Sequence, residues 1–308
     1  MGEIHELVRR HGHRQAELFA PDALKGCAKI AHQVMADESE AAGFSYSGFA
    51  ITALPYRRLR DDETWVRKIG NVTLAIDPGS LQVAGQVRRF GVPYGASARL
   101  VLLYLQSEAV RRQTPRIELG SSLNDFVVNR LRLANGGKTA TQLLDQLQRM
   151  AACSLKFFWE IGNGEGDGFE SATIIKSGQF SRASAGDGRQ AALWEDEVSL
   201  DPSFYQHLIH HAVPLREEAI RALADEPVAL DAYIWLCYRL RVLEKPTPIS
   251  WAALHAQFGP GYKLVRQFKP KFAASLRRAL AAYEEAKVTI TDGGLVLYPS
   301  EAPVRRVR

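Results

Sequence analysis

The side chains with the clearest chemical potential cluster near the C-terminus: Lys263, Arg266, Lys269, Lys271, Arg277 and Arg278. Each is a cation that can hold a phosphate. Arginine adds a planar fork that matches two acceptors on a guanine edge. Phe272, Leu276 and Leu280 recur at i, i+4 and i+8 in the same stretch. That spacing predicts a helix that buries the apolar residues and turns the cations outward. Pro270 suits the first turn of such a helix, where no N–H partner is lost. A second, less charged set lies upstream. Lys138, Thr139, Thr141, Gln142, Gln146 and Arg149 form the polar face of a helix predicted from Lys138 to Ala152. Leu143, Leu144, Leu147 and Met150 face inward, and the two amides suit adenine. Lys156 and Lys176 fall on the hairpin predicted to follow.

The elements that would position these residues come in one order, twice. The C-terminal copy has a helix from Ala229 to Val242, Ile249 as a short strand, and a helix capped by Ser250. Gly259-Pro-Gly261 is a turn, and the basic helix follows. Val288-Thr-Ile-Thr and Leu295-Val-Leu-Tyr298 flank Asp292-Gly293-Gly294 as a hairpin. The upstream copy has a helix from Ala98 to Arg112 with Ser97 as N-cap, then a strand at Ile117-Glu-Leu119. A helix from Ser121 or Ser122 to Leu133 follows, and Asn135-Gly-Gly137 breaks it. Next come the polar helix and two strands, Ser154–Ile161 and Ser171–Lys176. Helix, strand, helix, helix and β-hairpin is the order of a winged helix. The expected fold is therefore α+β with two tandem winged-helix domains.

The expected boundaries are a helical N-terminal extension over 1–43, domains at 44–185 and 190–300, and a basic tail at 301–308. Ser181 to Arg189 is small, polar and aperiodic, which marks it as the linker. Within the first domain, Phe49–Leu54, Thr64–Ile69 and Asn71–Ile76 read as strands, and Asp77-Pro-Gly79 stops the last. After the linker, Glu197–Leu200 reads as a strand, and Pro202–His211 and Leu215–Ala224 read as helices. Trp159, Trp194, Trp235 and Trp251 fall on apolar patterns and read as core.

Composition sets the class. The chain has 308 residues, 46% hydrophobic and 24% charged, which is ordinary for a globular protein of two domains. The N-terminus has no apolar signal core and no apolar run is long enough for a bilayer, so a cytoplasmic location is expected. Cys27, Cys153 and Cys237 are scattered and read as buried thiols. Charge is uneven. From Pro246 to Arg308, four Lys and six Arg face three Glu and one Asp, a net of +6. From Glu195 to Lys245, ten acids face five bases. A basic end suits a polyanion such as double-stranded DNA.

No catalytic constellation emerges, so the chain is not expected to be an enzyme, and neither metal nor cofactor is expected. His207, His210 and His211 share a helix end without a Cys or carboxylate at ligand spacing. The adjacent histidines also break the spacing that strand nickases use. Gly162 to Gly168 is glycine-rich but lacks a Gly-Lys-Ser/Thr ending. Asp61-Asp62-Glu63 reads as a solvated turn.

Four strings carry a family resemblance: Phe90 to Val110, Ile117 to Asp125, Gly136-Gly-Lys-Thr139 and Cys153-Ser-Leu-Lys-Phe-Phe-Trp159. The chain resembles plasmid-encoded RepA replication initiators over about Ala50 to Tyr298. The resemblance implies a protein that binds repeated sites at a plasmid origin and recruits host replication proteins. It further implies a dimer that represses its own gene and a monomer that initiates. Two other readings of the same fold are a transcriptional regulator without initiator activity and a protein-interaction scaffold.

Overall fold

The computed structural model describes residues 2–39, 41–133, 136–161, 166–178 and 197–304. Helices and antiparallel strands mix throughout, so the chain is α+β as expected. It divides into two compact units, Met1–Ala53 with Val213–Arg308, and Leu54–Ala212. The sequence reading set 1–43 aside and cut the chain once; in the structure the first unit is discontinuous. The expected linker at 181–189 and residues 305–308 of the expected tail lie outside the described residues.

Burial explains why the N-terminal segment belongs with the C-terminal one. Helix Glu3–Phe19 presents Ile4, Val8 and Ala16 to the core, and helix Ala28–Met35 presents Ala28, Ala31 and Val34. His5 is buried among them, and its Nε2 donates to Ala281 O at 3.0 Å. Desolvation lowers the His5 pKa, which favours the neutral ring. Phe49–Leu54, read as a strand, instead contributes to helix Ser47–Ile51. Phe49, Ala50 and Leu54 are all buried, and a short run without a polar face carries no period that separates helix from strand. Leu215–Ala224 also differs. Ala212–Arg216 pairs as a strand with Ala42–Tyr46, and the helix is only Glu217–Ala222.

The rest of this unit follows the expected order. Helix Pro227–Leu240 is buried nearly all round through Leu230, Tyr233, Leu236, Cys237 and Leu240. Strand Thr247–Ser250 leads into helix Trp251–Phe258, where Ser250 Oγ accepts from Ala253 N at 3.2 Å as an N-cap. Helix Val265–Ala281 comes next. Strands Val288–Ile290 and Gly294–Leu297 form the hairpin, and Gly294–Leu297 lies between Val288–Ile290 and Thr247–Ser250. Gly294 adopts φ +154°, and a Cβ there would meet Ile249 O at 1.9 Å, so only glycine lets the strands close. Pro270 sits in the interior of its helix, not in the first turn, because Leu264 is already the N-cap residue. Its missing N–H leaves the Arg266 carbonyl without that helical donor.

The second unit is built on a four-stranded antiparallel sheet, in the order Trp65–Ile69, Val72–Asp77, Ser154–Ile161, Gly166–Thr173. Leu74, Ile76 and Leu155 bury one face. Gly79–Val83 and Gln86–Phe90 form a separate hairpin that the sequence reading did not contain. Helix Gly95–Arg112 starts before Ser97, behind Tyr94, and has no side-chain cap. Buried Arg99 does not cap it, because a guanidinium only donates; it ties the first turn to the preceding chain instead. Its guanidinium donates to Leu54 O at 2.7 Å and Gly95 O at 2.8 Å, and it lies 4.8 Å over the Tyr56 ring. Ser122 caps as expected, with its Oγ accepting from Asp125 N. That helix is short, Leu123–Asp125, and passes into a π turn at Phe126–Arg130. Helix Gly137–Ala152 and helix Pro202–His210 complete the unit. Strand Arg116–Glu118 pairs with Glu197–Leu200, which also pairs with Ile175–Gly178.

The three cysteines are buried, and burial pushes the Cys27 thiol up to about 11. Trp235 and Trp251 are core as expected. Trp159 is not; it is 42% exposed near the end of its strand, with its ring across Gly168. Trp194 lies outside the described residues.

The core of the first unit turns on three stacked phenylalanines. Phe258 and Phe272 stack at 4.7 Å, and Phe268 and Phe272 at 5.0 Å. Phe272→Ala is expected to destabilise the protein by about 3–5 kcal/mol, measured by urea denaturation. The surface substitution Lys271→Ala should stay within about 0.5 kcal/mol in the same assay.

Candidate nucleic-acid interface

Helix Val265–Ala281 buries Phe268, Phe272, Leu276, Ala279 and Leu280 on one side. The opposite side carries Arg266, Gln267, Pro270, Lys271 and Ala274 in solvent, with Lys263 exposed just before the helix. Lys269 and Arg277 are half-buried and line a groove of about 670 Å³ between this helix and the hairpin. Trp251, Ile290, Thr291 and Asp292 line the same groove. Lys269 Nζ donates to Asp292 O at 2.9 Å and lies 5.2 Å over the Trp251 ring. Trp251 Nε1 in turn donates to Thr291 O at 3.2 Å. The hairpin tip is thereby tied to the basic helix through one lysine and one tryptophan. An ammonium has three donors, and the Asp292 carbonyl takes one of them.

Arg278 is placed differently. Its guanidinium pairs with Glu226, on the side of the helix that faces Gly26. It therefore bridges elements of its own unit, although it lies two turns from Lys271 on nearly the same side of the helix. Sequence spacing could not reveal this role, because the partner Glu226 is 52 residues away in the chain.

The upstream helix divides its predicted residues in the same way. Lys138, Thr141 and Gln142 are exposed, and Thr139 is half-buried. Thr141 Oγ1 donates to Gly137 O at 2.9 Å. Lys138, Thr141 and Gln142 line a groove of about 700 Å³ with Arg58, Tyr94 and Ser97. The first turns of helices Gly95–Arg112 and Gly137–Ala152 both border it, and neither has a side-chain cap. Arg58 was missed by the sequence reading; nothing in its local pattern marks it, and only the fold brings it here.

Gln146 borders the same groove and Arg149 does not. Both are only 3% exposed. Gln146 Oε1 accepts from Tyr94 N at 2.8 Å, and its Nε2 donates to Asp145 Oδ2 at 2.8 Å. Arg149 donates to Asp145 Oδ2 at 2.8 Å and to Asp61 Oδ1 at 3.2 Å, and lies 5.2 Å over Tyr94. These two side chains lock the start of one helix to the middle of the other. They are polar and buried, a combination that a polar/apolar periodicity assigns to the wrong face. The Asp61 turn, read as solvated, has this structural use.

Lys156 lies on the sheet and donates to Asp77 Oδ2 at 2.7 Å. That bond, helped by Thr64, holds the Asp77 carboxyl below its usual pKa. Lys176 is exposed, but in strand Ile175–Gly178, where the pairing with Glu197–Leu200 shifts register. It is not on the Ser154–Thr173 hairpin as expected. Of the histidine cluster, His207 Nδ1 stands 3.3 Å from Glu170 Oε2, and His210 Nδ1 donates to Gln206 O at 2.7 Å. No helix among the described residues is long and apolar enough to cross a membrane.

The mixed α+β arrangement is shared with a solved structure. The crystal structure of domains 2 and 3 of RctB matches with a TM-score of 0.54 and 13% identity, covering 85% of this chain and 99% of that one. A second structure of the same RctB domains matches with a TM-score of 0.48 and 12% identity, covering 82% and 94%. No curated protein matches the sequence. The profile of the family described as plasmid-encoded RepA protein matches residues 92–252, more than half of the chain. The chain belongs to this family, the plasmid-encoded RepA replication initiators.

Two outcomes follow from this geometry. Arg149→Ala is expected to cost about 2 kcal/mol of stability, because it removes charge-assisted hydrogen bonds from a buried position. Differential scanning calorimetry reads this as a lowered Tm. The lowered Asp77 pKa adds stability that is present above its unfolded value of ~3.9 and is lost as pH falls through the folded value. Asp77→Asn should remove that component from a Tm-against-pH series between neutral pH and acid.

Proposed function

We propose that the protein is a non-enzymatic, sequence-specific DNA-binding initiator of plasmid replication, built from two winged-helix modules. The observation that carries this reading is the helix Val265–Ala281. Its aromatic side is locked into the core and its basic side is open, beside a groove that ends at the hairpin. A B-DNA major groove is about 12 Å wide and admits one such helix. Arg266, Gln267 and Lys271 would then face the bases and the flanking phosphates. Lys269 and Arg277 would hold backbone where the hairpin meets the helix, and Lys263 would add a phosphate contact before it. Membership of the RepA family supports the initiator role over a regulator built on the same fold.

In the other module Lys138, Thr139, Thr141 and Gln142 would make a lighter contact. The first turns of two helices offer backbone N–H groups to phosphate there. Gln146, Arg149 and Arg278 drop out of the contact set and keep structural roles. Lys156 and Lys176 lie on separate sheets and do not extend this face. In this reading the protein binds repeated origin sites, represses its own gene as a dimer, initiates as a monomer and engages host replication proteins in the cytoplasm.

Footprinting on DNA flanking the gene should reveal evenly spaced protected repeats, and a minimal plasmid that carries them should depend on the protein. Lys271→Ala should weaken binding to all sequences and reduce the salt dependence by about one unit of log–log slope. Arg278→Ala should leave that slope unchanged. Absence of retardation at ~0.1 M salt, where specific complexes persist, would favour a protein-interaction scaffold instead.

A further inference from the structure

The chain at the start of helix Val265–Ala281 leaves apolar side chains in water. Tyr262 is 38% exposed, Leu264 45% and Val265 37%. Single exposed apolar residues are ordinary at a protein surface, but three within four positions make a patch. The patch is held in place. His255 Nε2 donates to Tyr262 O at 2.8 Å, and Tyr262 N donates to Gly259 O at 3.0 Å. The rings of His255 and Tyr262 each meet buried Phe268 in a T-shaped contact, with centroids 5.2 and 5.7 Å away. Leu264 is the N-cap residue, with extended backbone, and its carbonyl accepts from Gln267 N at 3.0 Å. Leu264 and Val265 are therefore fixed at the leading tip of the basic helix, with the Tyr262 ring turned back onto Phe268.

Cations flank this patch. Exposed Lys263 and Arg266 bracket Leu264 and Val265, and exposed Lys271 follows further along. No Asp or Glu occurs from Lys245 to Tyr283, a span that includes helix Trp251–Phe258, the Gly259–Gly261 turn and the basic helix itself. Asp292, at the hairpin tip, lies with Lys269 in the groove beside the hairpin. A second copy of this surface would set like charges against one another, and an apolar protein groove would strip water from the cations without pairing them. A duplex supplies partners for both kinds of side chain. Its phosphates meet the cations, and its major groove presents one apolar group, the 5-methyl of thymine. In helix-turn-helix pairs the N-terminal residues of the second helix contact base edges, and Leu264 and Val265 occupy that place. Neither side chain can donate or accept a hydrogen bond, so a polar base edge set against it would lose water without gaining a partner.

We propose that Leu264 and Val265 select thymine in the protein's duplex site by packing against its 5-methyl group, while the flanking cations fix the register. This inference rests on the duplex reading of the basic helix and names what the tip of that helix reads. The probe is a fluorescent duplex that carries one protected repeat from the DNA flanking the gene, followed by anisotropy with the full chain. Its thymines are replaced one at a time by uracil, which keeps the base pairing and removes only the methyl. Uracil should weaken binding about fourfold at one or two positions, the effect of one buried methyl. Val265→Ala or Leu264→Ala should abolish the uracil effect at such a position. Lys271→Ala should lower affinity and keep the thymine-to-uracil ratio. Two outcomes overturn the proposal and leave the duplex reading standing. One is wild-type binding that is indifferent to uracil at every position. The other is a Val265→Ala variant that binds the thymine and uracil duplexes more weakly by the same factor, which is the mark of a merely structural role. Absence of binding to any duplex from this region overturns both. Val265→Thr, which keeps the shape and exchanges a methyl for a hydroxyl, should also shrink the ratio, and it remains informative if thermal melting shows an alanine variant to be unfolded.

Discussion

The stacking of Phe258, Phe268 and Phe272 is the contact on which the basic helix depends. Offset aromatic packing fixes rotation about a helix axis more tightly than aliphatic packing, because the rings have preferred orientations. Phe268 and Phe272 are one turn apart, so they define the buried side of Val265–Ala281. Once that side is set, Arg266, Gln267 and Lys271 can only face out, Lys269 and Arg277 flank the hairpin, and Arg278 falls toward Glu226. The same helix also receives the N-terminal segment through the bond from His5 to Ala281 O. That contact helps explain why residues 1–53 fold with residues 213–308 and not as an extension.

Polar residues serve opposite purposes in the two modules. Around Val265–Ala281, Lys263, Arg266 and Lys271 remain in solvent, where water keeps the charge solvated. Around Gly137–Ala152, the best hydrogen-bonding residues turn inward. Arg149 would be costly to bury alone, but Asp61, Asp145 and the Tyr94 ring meet its guanidinium. Gln146 satisfies the N–H of Tyr94, a helix-start donor that no cap serves. These contacts shape the groove beside Lys138 and Gln142, which Tyr94, Asp145 and Gln146 also line.

The sheet of the Leu54–Ala212 unit adds a third kind of surface. Exposed large aromatics are informative where exposed single leucines are not. Phe158 and Phe169 are paired across adjacent strands, and alternation places them on the side away from the core. In the run Leu155-Lys-Phe-Phe-Trp159 only Leu155 is buried, and Phe158 and Trp159 are exposed.

Much of this was legible in the chain itself. The spacing of Phe272, Leu276 and Leu280 marked the basic helix and its inward side. Ser250 and Ser122 marked two helix starts by their capping chemistry, and Gly294 fell in the turn where backbone freedom is needed. The cation-rich end and the RepA-like strings pointed to DNA and to the family. These features are local: they depend on period, on a cap within three residues, or on a motif. Tertiary structure decided the rest. It chose helix for Ser47–Ile51, where an all-apolar run has no period, and placed Pro270 in a helix interior by starting that helix at Val265. It brought the two ends of the chain into one unit. It also buried Arg149 and Gln146 and turned Arg278 to Glu226, because a partner distant in sequence makes burial of a polar group favourable and nothing beside it in the chain reveals that partner.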